Sequence, residues 1–280
     1  MDGPLAGYVI AWTEPGTVNV GTIDPVTGKY AGGRVFDVGD FAVASNAPTT
    51  DDQSYFRRLV SPDYKYAYAQ RLVDGDAHVG WVDTRGNFTD VTAAVSGPRT
   101  DLSGPPNVNG HGFDRLGNFY YSSSDGRNVV VYRLPPGSTT GAVEVHGAEG
   151  FLVNPHITPD GTLNFNILGC FPRGTVGFLT DGYVWSDGEQ ILRRSGVPPA
   201  ASQSIYGCAV GDTELLPPRN TSKVFTPVAN QAEDRIAFIL EDQSGQRSIY
   251  SVSAVDGSAE AETNLGELST AYFSLVDWIE

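Results

Sequence analysis

What this chain has little of narrows its class before any motif is read. Of its 280 residues, one is methionine, two are cysteine (Cys170 and Cys208) and four are histidine. Two cysteines at that separation fit no metal-ligand spacing. The 18 lysines and arginines face 33 acidic residues, for a formal net charge of -15. Such a surface repels phosphate backbones and anionic headgroups, so nucleic acid is excluded as a partner. No apolar run approaches the roughly 18 residues of a membrane-crossing helix, so no membrane insertion is expected. Met1-Asp2-Gly3-Pro4 carries neither the basic nor the apolar part of a leader. There is no glycine-rich phosphate loop and no Gly-x-Ser-x-Gly elbow, so neither a cofactor nor a serine nucleophile is expected. No stretch sustains a 3.6-residue apolar period, which leaves almost no helix.

What is there is turn and strand. Glycine (33) and proline (18) punctuate short runs of Val, Ile, Tyr, Phe and Thr, the residues that suit a pleated, half-buried surface. In Leu59–Phe88, the turn Ser61-Pro62-Asp63 precedes the apolar run at Tyr66–Ala69. Asp74-Gly75-Asp76 turns the chain again, and His78–Val82 forms a second strand. Similar units begin at Gly7, Gly110, Asn154 and Val228. Their leading strands start near Tyr8, Tyr66, Phe119, Leu163 and Ile236, a recurrence of roughly 44 to 73 residues. Four short strands per repeat of about that length point to an all-β fold, a β-propeller occupying residues 1–280 as one domain. Five blades are favoured and six are possible, with 196–222 as an insertion or a degenerate blade. The closing segment Ala271–Glu280 contains a strand with no hairpin partner after it, and Gly7–Glu14 starts where a second strand belongs. Pairing of Phe273–Ile279 with Tyr8–Thr13 would close the ring and remove an exposed edge.

Ser61-Pro62-Asp63-Tyr64-Lys65-Tyr66-Ala67-Tyr68 resembles the Ser-Pro-Asp-Gly repeat of TolB-like and related WD-type propellers. Thr158-Pro159-Asp160-Gly161-Thr162-Leu163 and Glu233-Asp234-Arg235-Ile236-Ala237-Phe238 are similar to it. The resemblance implies a tight turn between the first and second strands of each blade, with the apolar residues packed between blades. It departs from the pattern at Tyr64, which stands where the repeat has glycine. Propellers of this group are binding platforms or parts of peptidases and lyases, so the resemblance specifies a fold rather than a function.

In a propeller the segments before the innermost strands converge on one mouth of the channel. Here they supply Arg57, Arg58, Asn109, His111, Asn154, His156 and Tyr206, a set that would hold a carboxylate or sugar acid through paired guanidiniums. His111 and His156 also raise a metal or general-base reading, but two histidines without a third ligand do not make a metal site, and none is assigned. His78 and His146 are read as structural or solvated. Asp114 and Asp160, which a glycosidase would use as paired carboxylates, sit at the turn position and are read as turn formers. Cys170 and Cys208 lie in glycine-flanked segments and are expected to be close enough to bond. Closing such a loop is worth about 3–4 kcal/mol in the chain-entropy model and implies an oxidising compartment. The expectation is a monomeric, extracytoplasmic or secreted binding module for a protein, peptide or carbohydrate ligand. The alternative is a channel-site hydrolase or lyase acting on polysaccharide.

Overall fold

The computed structural model describes residues 4–39, 53–74, 76–94, 107–124, 128–149, 156–157, 163–164, 175–180, 182–186, 188–195, 213–216, 222–258 and 260–280. The chain is all-β, and the strands among the described residues form six antiparallel sheets. The first joins β1 (Gly7–Glu14), β2 (Thr17–Ile23) and β3 (Tyr30–Asp37) to β21 (Ser274–Ile279), in the order β21-β1-β2-β3. The second holds β4 (Tyr66–Val73), β5 (Asp76–Asp83) and β6 (Phe88–Asp90). β7 (Asn107–Phe113), β8 (Phe119–Ser124), β9 (Asn128–Leu134) and β10 (Val143–Glu149) make the third. Two short strands, β11 (His156–Ile157) and β12 (Leu163–Asn164), pair alone. The fifth sheet contains β13 (Thr175–Leu179), β14 (Gly182–Ser186), β15 (Ile191–Ser195) and β16 (Thr213–Leu216). The last contains β17 (Lys223–Ala229), β18 (Arg235–Glu241), β19 (Arg247–Ser253) and β20 (Ala261–Asn264).

The sheets stack because both faces of their strands are apolar. Side chains alternate across a strand, and in β1 the two sets enter different cores. Val9 and Ala11 join a cluster with Val60 and with Tyr68, Trp81 and Phe119 of the second and third sheets. Tyr8 and Ile10 join Ala237, Ile239, Ile249 and Leu275 on the other side. β18 divides in the same way: Ile236, Phe238 and Leu240 pack with Val184, Ile191 and Leu215 of the fifth sheet, while Ala237 and Ile239 face the first. The expected pairing of the two chain ends is present: β21 runs antiparallel to β1, from Gly7 opposite Ile279 to Ala11 opposite Ser274.

The sheet at Thr175–Leu216 lies where the repeat pattern placed no unit of its own. Its last strand, β16, falls inside the 196–222 segment read as an insertion or degenerate blade. One short helix is present among the described residues, in keeping with the expectation of almost none. α1 (Gln53–Leu59) has seven residues, too few to stand alone in water. Tertiary contacts hold it: Leu59 is buried and Phe56 packs on the same core. Arg57 and Arg58 occupy its last turn, where the helix dipole favours positive charge. The helix packs against β7, β13 and β21, edge strands of three different sheets, and leads into Val60, which bridges to Ala67 in the second sheet.

Candidate functional site

Three of the turns that lead into an apolar strand share one hydrogen bond, from the N–H of the fourth residue to the carbonyl of the first. At Ser61–Tyr66, the Tyr64 N–H donates to the Ser61 carbonyl at 2.8 Å, and the Ser61 N–H to that of Tyr66 at 2.9 Å. At Asn230–Arg235 the corresponding bonds are Glu233 to Asn230 at 3.0 Å and Asn230 to Arg235 at 3.1 Å. At Asp114–Asn118, Gly117 donates to Asp114 at 3.2 Å, and the closing bond from Asp114 to Asn118 at 3.0 Å makes this turn one residue shorter than the other two. The fourth residue of this turn needs positive φ: Gly117 has φ 85°, and Gly86 and Gly245 fill the same position in outer turns with φ 80° and 81°. Tyr64 and Glu233 both adopt φ 56° there. A side chain in this left-handed region costs about 1–2 kcal/mol relative to glycine. The large residues therefore stand where the backbone alone would select glycine.

Their side chains converge with charged groups from other elements. Tyr64 is fully buried, and its hydroxyl donates to Asp277 Oδ2 on β21 at 2.8 Å. Burial pushes that hydroxyl well above its ordinary range, against the pull of Arg57, so it stays a donor. The Arg57 guanidinium lies 5.2 Å from the centre of the Tyr64 ring. Arg115, in the Asp114 turn, is solvent-exposed, yet desolvation is the largest influence on it and lowers its proton affinity. Arg57 pushes in the same direction as desolvation, while Asp277, Glu233 and Tyr64 oppose both. The Glu233 carboxylate accepts from the Thr180 N–H and hydroxyl, both at 2.8 Å, which ties the last sheet to the fifth. Asn230 Nδ2 donates to Glu280 Oε1 at 2.9 Å beyond the end of β21. The assembly is thus two guanidiniums, two carboxylates and a phenol, drawn from α1, three turns and β21, with the bond from Thr180 to Glu233 closing one flank.

The residues expected from sequence distribute differently. Arg57 belongs to this cluster. Arg58 turns instead to β7, where Nη1 donates to the His111 carbonyl at 2.9 Å. His111 sits at a register shift between Gly110 and Gly112. Both glycines answer close approach: a Cβ on Gly110 would lie 2.0 Å from the Tyr68 ring, and one on Gly112 would lie 2.1 Å from the Arg58 carbonyl oxygen. Burial, followed by the Arg58 charge, lowers His111 to about 3, so the imidazole is neutral at physiological pH. Asn109 is exposed on the same strand. His156 opens β11. Asn154, Tyr206, Cys170 and Cys208 lie outside the described residues, as does Asp160. Asp114 acts as a turn former: its carboxylate accepts from the N–H groups of Leu116 and Asn118, from Asn118 Nδ2 and from the Tyr120 hydroxyl, at 2.8 to 2.9 Å. Among the described residues no helix is long and apolar enough to cross a membrane, and no group of three or more His, Cys, Asp or Glu could hold a metal ion.

Tyr64, Arg115, Glu233 and Asp277 were missed by sequence reasoning. The departure from glycine at the fourth turn position was the available signal for Tyr64.

These stacked antiparallel sheets have counterparts among solved structures. The chain resembles TolB in fold. A structure described as putative TolB from Agrobacterium tumefaciens is 14% identical, over 92% of this chain and 78% of that one, with a TM-score of 0.35. TolB from Acinetobacter baumannii is 12% identical, over 93% of this chain, with a TM-score of 0.32; the match spans 53% of its length. An α-L-arabinofuranosidase from Podospora anserina aligns at 12% identity over 99% of this chain and 77% of its own, with a TM-score of 0.26. Likeness at this level carries no argument about activity. No family model matches the chain, and no curated protein does.

Proposed function

We propose that the chain is a non-catalytic β-propeller binding module, extracytoplasmic, with six blades in a ring closed by β21 on β1. We further propose that it engages a protein or peptide ligand where Arg57, Tyr64, Arg115, Glu233 and Asp277 converge. The observation that carries this reading is the pair Tyr64 and Glu233, both in the left-handed region at the fourth turn position, which Gly86, Gly117 and Gly245 hold in the slightly shorter turns. Backbone strain of this kind persists where surrounding structure enforces it, and it concentrates at ligand sites. Charges of both signs on rigid turns suit a segment with its own mixed polarity, since guanidiniums grip carboxylates in bidentate fashion while Asp277 and Glu233 accept donors. The neutral His111 gives no support to proton transfer at neutral pH.

The test is an array of short peptides of varied charge, probed with the wild-type chain and with Arg115→Ala. Peptides carrying an acidic residue bind the wild type, and Arg115→Ala weakens them by about tenfold or more, as expected for loss of a charged contact of about 1.5–3 kcal/mol. Thermal melting is unchanged, because the side chain is exposed. Equal binding by both proteins would return Arg115 to the scaffold.

A further inference from the structure

A second feature lies at the other end of the first sheet. Along β1 and β21, Gly7 faces Ile279 at one end, beside Glu280, and Ala11 faces Ser274 at the other. At that second end an open cleft of about 520 Å³ is lined by Ile10, Trp12, Glu14, Tyr30, Leu268 and Tyr272, among others. Tyr30 is 47% exposed and Tyr272 is 79% exposed. Solvent-facing aromatics scattered singly need no explanation, but several that share one concavity do.

Each ring is held in place from behind. Tyr30 lies over Gly21 and Gly33, which face each other across β2 and β3. A Cβ on either would come within 2.4 Å of the Tyr30 ring or hydroxyl, so the glycine pair is the floor on which the ring lies flat. Trp12 meets Tyr30 edge-on at 6.5 Å between centroids, and its indole N–H donates to Glu14 Oε1 at 3.4 Å. Behind Tyr272, the Arg247 guanidinium sits 4.6 Å from the ring centre. Arg247 is itself buried and paired through Nε with Glu241 at 2.9 Å. Glu241 also pairs with Lys223 at 3.2 Å, and the exposed part of Tyr272 is left to the cleft. The walls are thus oriented before any ligand arrives.

Among the described residues that line the cleft, Glu14 is the one that carries a charge. One carboxylate and four aromatic rings, Phe273 being the fourth, are a poor match for a sugar, whose many hydroxyls each need a partner. They are equally poor for a primary ammonium, which is strongly hydrated and brings three N–H donors. A quaternary ammonium has no N–H to satisfy, is clad in methyl groups, and is drawn to aromatic faces. The net charge of -15 raises the local concentration of any cation. We infer that this cleft binds a small quaternary ammonium ion, with its methyl groups against Trp12, Tyr30 and Tyr272 and its charge balanced by Glu14.

The experiment is calorimetric titration of the full chain with choline chloride at fixed ionic strength. A parallel titration uses choline's neutral isostere, in which carbon replaces nitrogen. Choline saturates one site, and the isostere binds at least about tenfold more weakly because the cation–π and ionic attractions are gone. Tyr272→Ala and Glu14→Gln each weaken choline by about tenfold, with melting unchanged because both side chains are exposed. Arg115→Ala leaves choline binding intact, which separates this site from the charged one. Equal affinity for the isostere overturns the inference in favour of a merely apolar cleft. Absence of saturation by choline overturns it, as does saturation that Tyr272→Ala and Glu14→Gln both leave untouched. Displacement of choline by a neutral monosaccharide assigns the cleft to glycans and likewise overturns it.

Discussion

Deleting Tyr272–Glu280 removes β21 and tests how far the first sheet depends on it. The strand brings Phe273, Leu275, Val276 and Trp278, all buried, between β1 on one side and β17 on the other. Each buried side chain of this size contributes about 1.5–3 kcal/mol, so the four together account for about 6–12 kcal/mol. Such sums are upper bounds, because the unfolded chain already hides part of its surface. The deletion also removes Asp277, the acceptor of the Tyr64 hydroxyl, and Glu280, an acceptor for Asn230. Domain stabilities run to about 5–15 kcal/mol, so the loss is comparable with the whole. Loss of even the lower figure, at about 2 °C per kcal/mol for a chain of this size, lowers the melting temperature by at least about 12 °C. The complete and shortened chains are to be compared by circular dichroism during heating and by urea titration. The shortened chain is expected to lack a cooperative transition or to melt far earlier. A synthetic Tyr272–Glu280 peptide added in excess should restore part of the difference, as a ligand that binds only the folded state does. Cooperative melting of the shortened chain within a few degrees of the complete one would refute the reasoning.

Two further outcomes are expected. His111 is lowered to about 3 by burial, whereas the unfolded chain binds that proton near pH 6.5. Below about pH 6.5 the unfolded state therefore holds more protons, and stability falls with pH by up to about 1.4 kcal/mol per unit until about pH 3. The lowered carboxyls of Asp63 and Asp90 add losses only below about pH 4. His111→Asn should thus flatten the profile between about pH 6.5 and 4.5, and wild-type and variant curves that run parallel there would contradict the assignment. Tyr64→Phe keeps the buried ring but takes the donor from Asp277. It is expected to cost about 1.5–3 kcal/mol in urea denaturation, and a change within experimental scatter would mean that the bond to Asp277 adds nothing.

The residues by themselves determined the class of fold and its local grammar. Alternating Val, Ile, Tyr and Phe between Asp-Gly and Pro-Asp turns can bury apolar surface only as short antiparallel strands. An unpartnered strand at each end of the chain could satisfy its backbone by pairing with the other, as β21 does with β1. Even the missed sheet at Thr175–Leu216 carried a local signal, since Asp181-Gly182 and Asp187-Gly188 bracket Tyr183–Ser186. The short α1 had no such signal. Its seven residues show no sustained period, and the contacts that stabilise it come from strands far away in sequence. Only the tertiary structure decided which side chains meet. Arg57 and Arg58 are neighbours on one helical turn, yet one reaches the Tyr64 ring and the other the His111 carbonyl. Tyr64 and Asp277 are 213 positions apart, and their hydrogen bond exists because the two ends of the chain share a sheet that α1 packs against. The cleft of Trp12, Tyr30 and Tyr272 likewise joins β1, β3 and the approach to β21. Periodicity reports the environment of a strand through its own neighbours. A site assembled from the ends of several strands depends on how sheets stack, and on the backbone angles at turns such as Tyr64 and Glu233, which residue identity alone does not specify.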